Sequence, residues 1–239
     1  MAKILCLAPS GFGKTTGTGN IPALGFTGLP PKVSFIISKT SKPLPYAGQA
    51  KQFPIVAAHN RLNTGFRVIC TNVKEAVAVL EDLVKSPMKN VVLDDFNYYM
   101  QDWYMDNALK TGWDAPKQIG SDMGKLFKAM EKFEGADRNL IVLAHGEDVP
   151  KPGGRIYTKL KTTGKMVDEY VTPEGKFDIV LVGKSYFDTA NRKVVKEYVT
   201  NEDETYSSPK SPVGMFATPT INNDLGHIIE TVNKYYSGE

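Results

Sequence analysis

Long hydrophobic runs are missing from this 239-residue chain. The longest, such as Leu140–Ala144, fall far short of the roughly 18 residues a membrane-spanning helix needs. Ile4–Ala8, cut off by Pro9, is too short for the core of a signal peptide. Cysteine is scarce. Cys6 and Cys70 both sit in apolar, strand-like stretches and read as reduced core residues, which argues against a disulfide framework and for the cytoplasm. A surplus of one charge is also lacking: 29 Lys+Arg stand against 26 Asp+Glu, and a net +3 names no partner, because placement matters more than the total. No repeat or low-complexity tract appears. With 41% hydrophobic and 23% charged residues, wholesale disorder is excluded. A chain of this length buries roughly 70–75% of its unfolded surface and needs no metal or disulfide staple. One domain over residues 1–239 is expected.

What is present alternates between strand and helix patterns. Lys3–Leu7, Val33–Ser38, Phe66–Thr71, Asn90–Leu93 and Leu140–Ala144 read as strands with no polar face. Asn72 should cap a helix whose stripe is Ala76, Val79, Leu80, Leu83 and Val84. Met123, Leu126, Phe127, Met130 and Phe133 fall at helical spacing. Phe177–Val182 and Lys193–Val199 read as a late pair of strands around a polar turn at Asp188–Arg192, and a last helix should open at Asn222 or Asn223. The pattern predicts an α/β fold: a largely parallel sheet with helices on both faces and a late antiparallel hairpin.

Directly after the first strand stands Ala8-Pro-Ser-Gly-Phe-Gly-Lys-Thr15, a phosphate-loop pattern with Ala8 in place of the usual first Gly. Such a loop wraps backbone N–H groups around phosphate, so Ser10, Gly11, Phe12, Gly13, Lys14, Thr15 and Thr16 are the candidate nucleotide-binding residues. Lys14 would reach the β- and γ-phosphates, and the Thr15 hydroxyl would hold Mg²⁺. Gly17, Gly19 and Pro22 should keep the following helix short or irregular. Val91-Val-Leu-Asp94-Asp95 supplies the complementary acids. Asp94 is the second metal candidate, and Asp95 the candidate that orients an attacking water. The plainer reading of the two acids is a helix cap or turn. Two strand-like segments intervene between the loop and Asp94, so an extra strand should separate the loop strand from the Asp94 strand. Motor and recombinase ATPases have that order; small-molecule kinases and GTPases do not.

Three later stretches add a more particular pattern: Leu140-Ile-Val-Leu-Ala-His145-Gly-Glu, Lys161-Thr-Thr-Gly-Lys165-Met-Val-Asp-Glu, and Lys210-Ser-Pro-Val-Gly-Met-Phe216 with Asn222-Asn-Asp-Leu225. With Ala8–Thr15 and Asp94–Asp95, the chain resembles, over nearly its whole length, the bacteriophage RecA-like ATPases that act as single-strand annealing recombination proteins. The resemblance implies a RecA-like P-loop NTPase core that binds ATP and Mg²⁺ and handles single-stranded DNA. In a phage-encoded protein the compartment would be the host cytoplasm. It leaves open a single-strand-binding protein and a homo-oligomer as further partners. Two departures count against a filament: the chain starts directly at the phosphate-loop strand, and the strand at Phe35–Ser38 ends in Ser38-Lys39 where the larger recombinases carry a water-activating Glu. The catalytic role then passes to Asp95, with Glu147 next.

His145 ends a strand where it could sense the γ-phosphate, giving Lys14, Asp95 and His145 as catalytic candidates; a His bonded to a loop carbonyl is the alternative. The stretch Val149–Val167 holds Lys151, Arg155, Lys159, Lys161 and Lys165, no acid, and enough Gly to predict a mobile DNA-binding loop. A solvated basic loop remains the alternative, as does a lysine reaching a neighbouring subunit's nucleotide. Phe96, Tyr98, Tyr99, Trp103, Tyr104 and Trp113 read mainly as packing, with base stacking as the rival use. An ATPase that loads a replicative helicase, or a nucleotide-gated module without turnover, would share the same phosphate machinery.

Overall fold

The computed structural model describes residues 1–56, 66–107, 114–163 and 172–239, with side chains except at 114–117. In chain order the strands are β1 (Lys3–Leu7), β2 (Ser34–Ser38), β3 (Ile55–Val56), β4 (Arg67–Ile69), β5 (Asn90–Leu93), β6 (Asn139–Ala144), β7 (Gly146–Pro150), β8 (Ile156–Leu160), β9 (Ile179–Asp188), β10 (Lys193–Val199) and β11 (Thr220–Asn222). The helices are α1 (Gln49–Gln52), α2 (Val73–Leu83), α3 (Phe96–Asp106), α4 (Asp114–Glu131) and α5 (Leu225–Ser237). No described helix is long and apolar enough to cross a membrane.

The main sheet runs β11-β10-β9-β1-β6-β5-β2-β4-β3. From β9 to β3 every pairing is parallel, and β10 and β11 close the other edge in antiparallel fashion. β6 inserts between β1 and β5, which is the extra strand that the spacing predicts. The whole is the expected α/β arrangement of a largely parallel sheet, with β9–β10 as the late antiparallel hairpin.

Strands β1, β2, β5 and β6 are buried at every residue, which is why they read as apolar runs with polar residues only at their ends. Their alternate side chains feed two cores. Leu5, Leu7, Ile37, Leu93 and Val142 pack under α2, α3 and α4, while Ile4, Cys6, Ile36, Val92 and Leu143 pack against α5 and the chain around Leu29, Leu44 and Phe53. Each such side chain contributes about 1.5–3 kcal/mol on burial. Both cysteines are free and buried, and burial pushes their thiols up to about 12.

The Asn72 cap forms as expected: its side chain accepts the Glu75 N–H at 3.1 Å, and the Glu75 carboxylate accepts the Thr71 N–H. The start of α5 differs from the expectation. Its cap is Asp224, because that carboxylate gathers the N–H groups of Gly226, Thr27 and Gly28 and the Thr27 hydroxyl. A larger correction concerns the basic stretch after β6. Instead of a mobile loop, β7 and β8 pair as an antiparallel hairpin across Gly153 and Gly154, whose φ values of 80° and 79° make the turn.

Candidate nucleotide site

The site lies where β1, β6 and β5 end side by side. Strand β1 delivers the chain to Ala8, which is held by its N–H to Ala144 O at 3.2 Å. The loop then bends through Gly11 (φ 79°) and Gly13 (φ 89°), left-handed conformations in which a side chain would be strained. Among the described residues, no acceptor faces the N–H groups of Gly11, Gly13 and Lys14. The Phe12 N–H between them is bonded to Pro9 O at 3.4 Å, and the neighbouring free N–H groups of Gly13 and Lys14 form an anion-binding concavity. The helix that follows is reduced to one 3-10 turn, Thr15–Thr18, as the Gly-rich sequence predicts.

Three contacts brace the loop from outside. The Phe12 ring is turned into the core against Tyr198, with ring centres 4.9 Å apart, so its side chain does not face the site. Lys196 donates to Gly11 O at 2.6 Å, and the Asn223 amide donates to Gly13 O at 2.6 Å. Lys196 does not stand out in the sequence, and Asn223 does so only as a possible helix start and as part of the Asn222–Leu225 stretch.

Lys14 is buried, and its ammonium donates to Ala8 O at 2.9 Å and Pro9 O at 3.2 Å. Burial pushes its pKa down to about 8 against the opposing pull of Asp94 and Asp95. The His145 Nδ1 lies 3.2 Å from the same ammonium. Burial and then the Lys14 charge hold His145 below the usual histidine value, so the neutral ring is favoured. Ser10 lies exposed on the loop, and Thr16 lines its outer flank.

The Thr15 hydroxyl sits 3.1 and 3.0 Å from the two Asp94 oxygens. Neighbouring oxygen ligands on an octahedral Mg²⁺, with bonds of about 2.1 Å, lie about 3.0 Å apart. The pair therefore fits a divalent ion, although no group of three or more acidic, His or Cys ligands gathers among the described residues. Thr15 and Asp94 would hold Mg²⁺ together with phosphate oxygens and waters. Burial, and next the Asp95 charge, raise the Asp94 carboxyl well above the usual carboxylate range, which is the situation a bound cation relieves.

Asp95 stands at the N-cap position of α3 in a left-handed conformation (φ 59°), yet its side chain accepts no helix N–H. Its carboxylate is thus not spent on capping. Two residues further on, the buried Asn97 makes a clamp that sequence reasoning did not single out. Its amide oxygen accepts the His145 N–H, and its NH₂ donates to His145 O and Lys161 O. Lys161 N also donates to His145 O at 2.9 Å. The root of the β7–β8 hairpin is therefore tied to the segment that carries Asp94 and Asp95.

Arg67 on β4, buried at 2% exposure, donates to Ser38 Oγ and Thr40 O at 2.8 Å each. Its charge acts on Asp94, and nothing in the apolar run Phe66–Thr71 announces it beyond the residue itself. Lys39, which follows Ser38 at the end of β2, is paired with Asp102 at 2.6 Å.

The five basic candidates do not form one free set. Arg155 is committed inward, to Glu202 at 3.1 Å and to the carbonyls of Asp203 and Tyr206. Lys159 faces Glu147 across the hairpin, 3.9 Å away, because antiparallel pairing brings an acid opposite it that the linear stretch does not contain. That contact also occupies Glu147. Lys151 lies over the Tyr157 ring, and Lys161 is exposed. Lys165 lies outside the described residues, as do Trp113 and His59. Of the aromatic group, Phe96 and Tyr99 are core residues, Trp103 donates to Asp122, Tyr98 packs edge-on against His145, and Tyr104 is exposed.

No family model and no curated protein matches this chain. Among solved structures, a KaiC-like protein of the hyperthermophilic archaeon Pyrococcus horikoshii is similar at 13% identity, over 83% of this chain and 77% of that one, with a TM-score of 0.41. A likeness at that level fixes neither ligand nor activity.

Proposed function

We propose that the chain binds and hydrolyses ATP with Mg²⁺ and uses the nucleotide to govern single-stranded DNA, as in strand-annealing recombination. One observation carries the nucleotide reading: unpaired loop N–H groups, the buried Lys14 ammonium and the Thr15–Asp94 oxygen pair converge at the ends of adjacent parallel strands. Open α/β sheets bind ligands at that end of their strands.

Hydrolysis needs a base for water. Asp95 would take the proton as the water oxygen bonds to the γ-phosphorus and the β,γ-bridging P–O bond breaks, giving ADP and phosphate and returning the proton to solvent. Lys14 and the loop N–H groups would stabilise the charge on the transferring group, and bound Mg²⁺ would neutralise charge on the phosphate oxygens.

The DNA reading rests on the hairpin that leaves the site at His145. Lys151 and Lys161 are its exposed cations, and Asn97 joins its base to the acid-bearing segment. Phosphate release should require Mg²⁺, fall roughly 10²–10⁴-fold in Asp95→Asn and rise with single-stranded DNA. Annealing of complementary strands by the wild type separates recombination from helicase loading. Absence of turnover under all conditions would refute the ATPase part.

A further inference from the structure

We infer that Asn223 is a positioning residue for phosphate binding, an assignment that rests on the phosphate-loop reading above. Asn222-Asn-Asp-Leu225 belongs to the pattern that the sequence displays, and neither the metal site nor the acids account for it. These residues lead from β11 into α5 and hold the chain between the phosphate loop and Gly28 at both ends. The Asn223 amide donates to Gly13 O at 2.6 Å, and the Asp224 carboxylate accepts the N–H groups of Thr27 and Gly28.

The Asn223 bond acts through one peptide group. In a trans peptide the C=O and N–H point in opposite directions, and the described chain has no cis bond. Gly13 O shares its peptide with the Lys14 N–H, one of the loop donors left free. Holding the carbonyl outward on Asn223 therefore turns that N–H inward, into the anion-binding concavity. The other bond to Gly13 O comes from the Gly17 N–H at 3.4 Å, longer than usual, so Asn223 is the firmer hold. The brace at Gly11 is different. Lys196 pins a peptide whose N–H, that of Phe12, is already bonded to Pro9 O.

The fold keeps this contact against a cost in stability. Asn223 is 3% exposed. A carbonyl can only accept, so the bond to Gly13 O fixes the Asn223 NH₂ there and sets the amide's orientation. Its Oδ1 is then buried without a donor among the described residues. A buried acceptor with no partner is unfavourable by at least as much as one hydrogen bond gains. The approach is also close. A Cβ on Gly17 would stand 2.7 Å from Asn223 O and 2.8 Å from Oδ1, so glycine alone fits there. An amide that adds little to stability, yet is packed this tightly on the loop, serves what the loop binds.

The test measures Mg-ATP and Mg-tripolyphosphate affinity by calorimetry, and unfolding in urea, for the full chain and its Asn223→Ala and Asn223→Thr variants. A hydrogen bond to a charged group lost outright lowers affinity about 10- to 100-fold, and losing only its alignment should lower it about 3- to 10-fold. ATP and tripolyphosphate should weaken by the same factor within about twofold, because both present phosphate to the same N–H. Asn223→Ala removes one bond and one unpaired acceptor together, so the urea midpoint should move by less than about 0.3 M. Thr is close to Asn in volume and its hydroxyl stops one atom short of the amide nitrogen, so Asn223→Thr keeps the packing and loses the reach. It carries the test if the Ala variant fails to fold. Wild-type affinity in the folded Thr variant, a loss confined to ATP, or a midpoint lower by about 1 M in both variants would each overturn the positioning role while leaving the phosphate loop standing. A wild type that binds neither ligand removes both readings.

Discussion

Replacing Asn97 with Ala removes three side-chain hydrogen bonds at one stroke: one accepted from His145 N–H and two donated to the carbonyls of His145 and Lys161. Asn97 is fully buried, so water cannot replace them. At a net contribution of about 1 kcal/mol per bond, the loss is about 3 kcal/mol, with the stranded His145 N–H pushing it upward and the surviving Lys161 N to His145 O bond limiting it. With a urea dependence of about 3 kcal/mol/M, at the upper end for small proteins, the unfolding midpoint should fall by about 1 M. The damage should also be local. Amide exchange should accelerate at His145 and Lys161 and along β7 and β8, while amides of β1 and β5 change no more than the global loss requires. A stability change under about 1 kcal/mol, or exchange that rises uniformly through the sheet, would refute the clamp.

Asp95→Asn keeps the side-chain shape and removes the base, so Mg-ATP binding should persist while turnover falls roughly 10²–10⁴-fold, measured by phosphate release; normal turnover would move the role elsewhere. Gly183→Ala should destabilise by about 1–3 kcal/mol and weaken ATP binding, because an added Cβ would stand 2.6 Å from the Ala8 Cβ and 2.9 Å from the Phe12 ring, at the base of the loop; thermal unfolding and calorimetry read both, and a neutral result would contradict the packing. Single-strand affinity should fall with salt at about −0.7 per neutralised phosphate, and Lys151→Ala with Lys161→Ala should flatten that slope by about 1.4 without changing ATP affinity. An unchanged slope would remove the hairpin from the interface.

The parts of the fold that were legible in the sequence are those governed by local or one-dimensional rules. Strands β1 and β5 match their predicted bounds because buried parallel strands are apolar after their first residue here, Lys3 and Asn90, and the Asn72 cap appears because its bond partner lies three residues on. Even the insertion of β6 between β1 and β5 followed from the spacing of two motifs. Long-range commitments were less visible. The start of α5 moved to Asp224 because Thr27 and Gly28, nearly two hundred residues away, supply donors to it. The β7–β8 hairpin was hidden by its lysines, glycines and Pro150, although Pro152-Gly-Gly ahead of Ile156-Tyr157 is a turn signal before a strand-forming pair. Its cations also looked free in the linear stretch, and the acids that answer them, Glu147 and Glu202, lie outside it.

The same limit holds at the site. Gly11, Gly13, Lys14, Thr15 and Asp94 were named from one motif and one strand end, and the structure brings them together. Asn97, Arg67, Lys196 and Asn223 support that arrangement through tertiary contacts with no fixed spacing, which a single sequence does not display.

The most direct test of the account is calorimetric titration of Mg-ATP into the wild type and Lys14→Ala at low salt. Hydrogen bonds to charged groups contribute about 1.5–3 kcal/mol each, so loss of the ammonium should raise Kd by about 10- to 100-fold or more, with the fold intact by circular dichroism. Equal affinity in the two proteins would contradict the assignment of Ala8–Thr15 as the phosphate-binding loop.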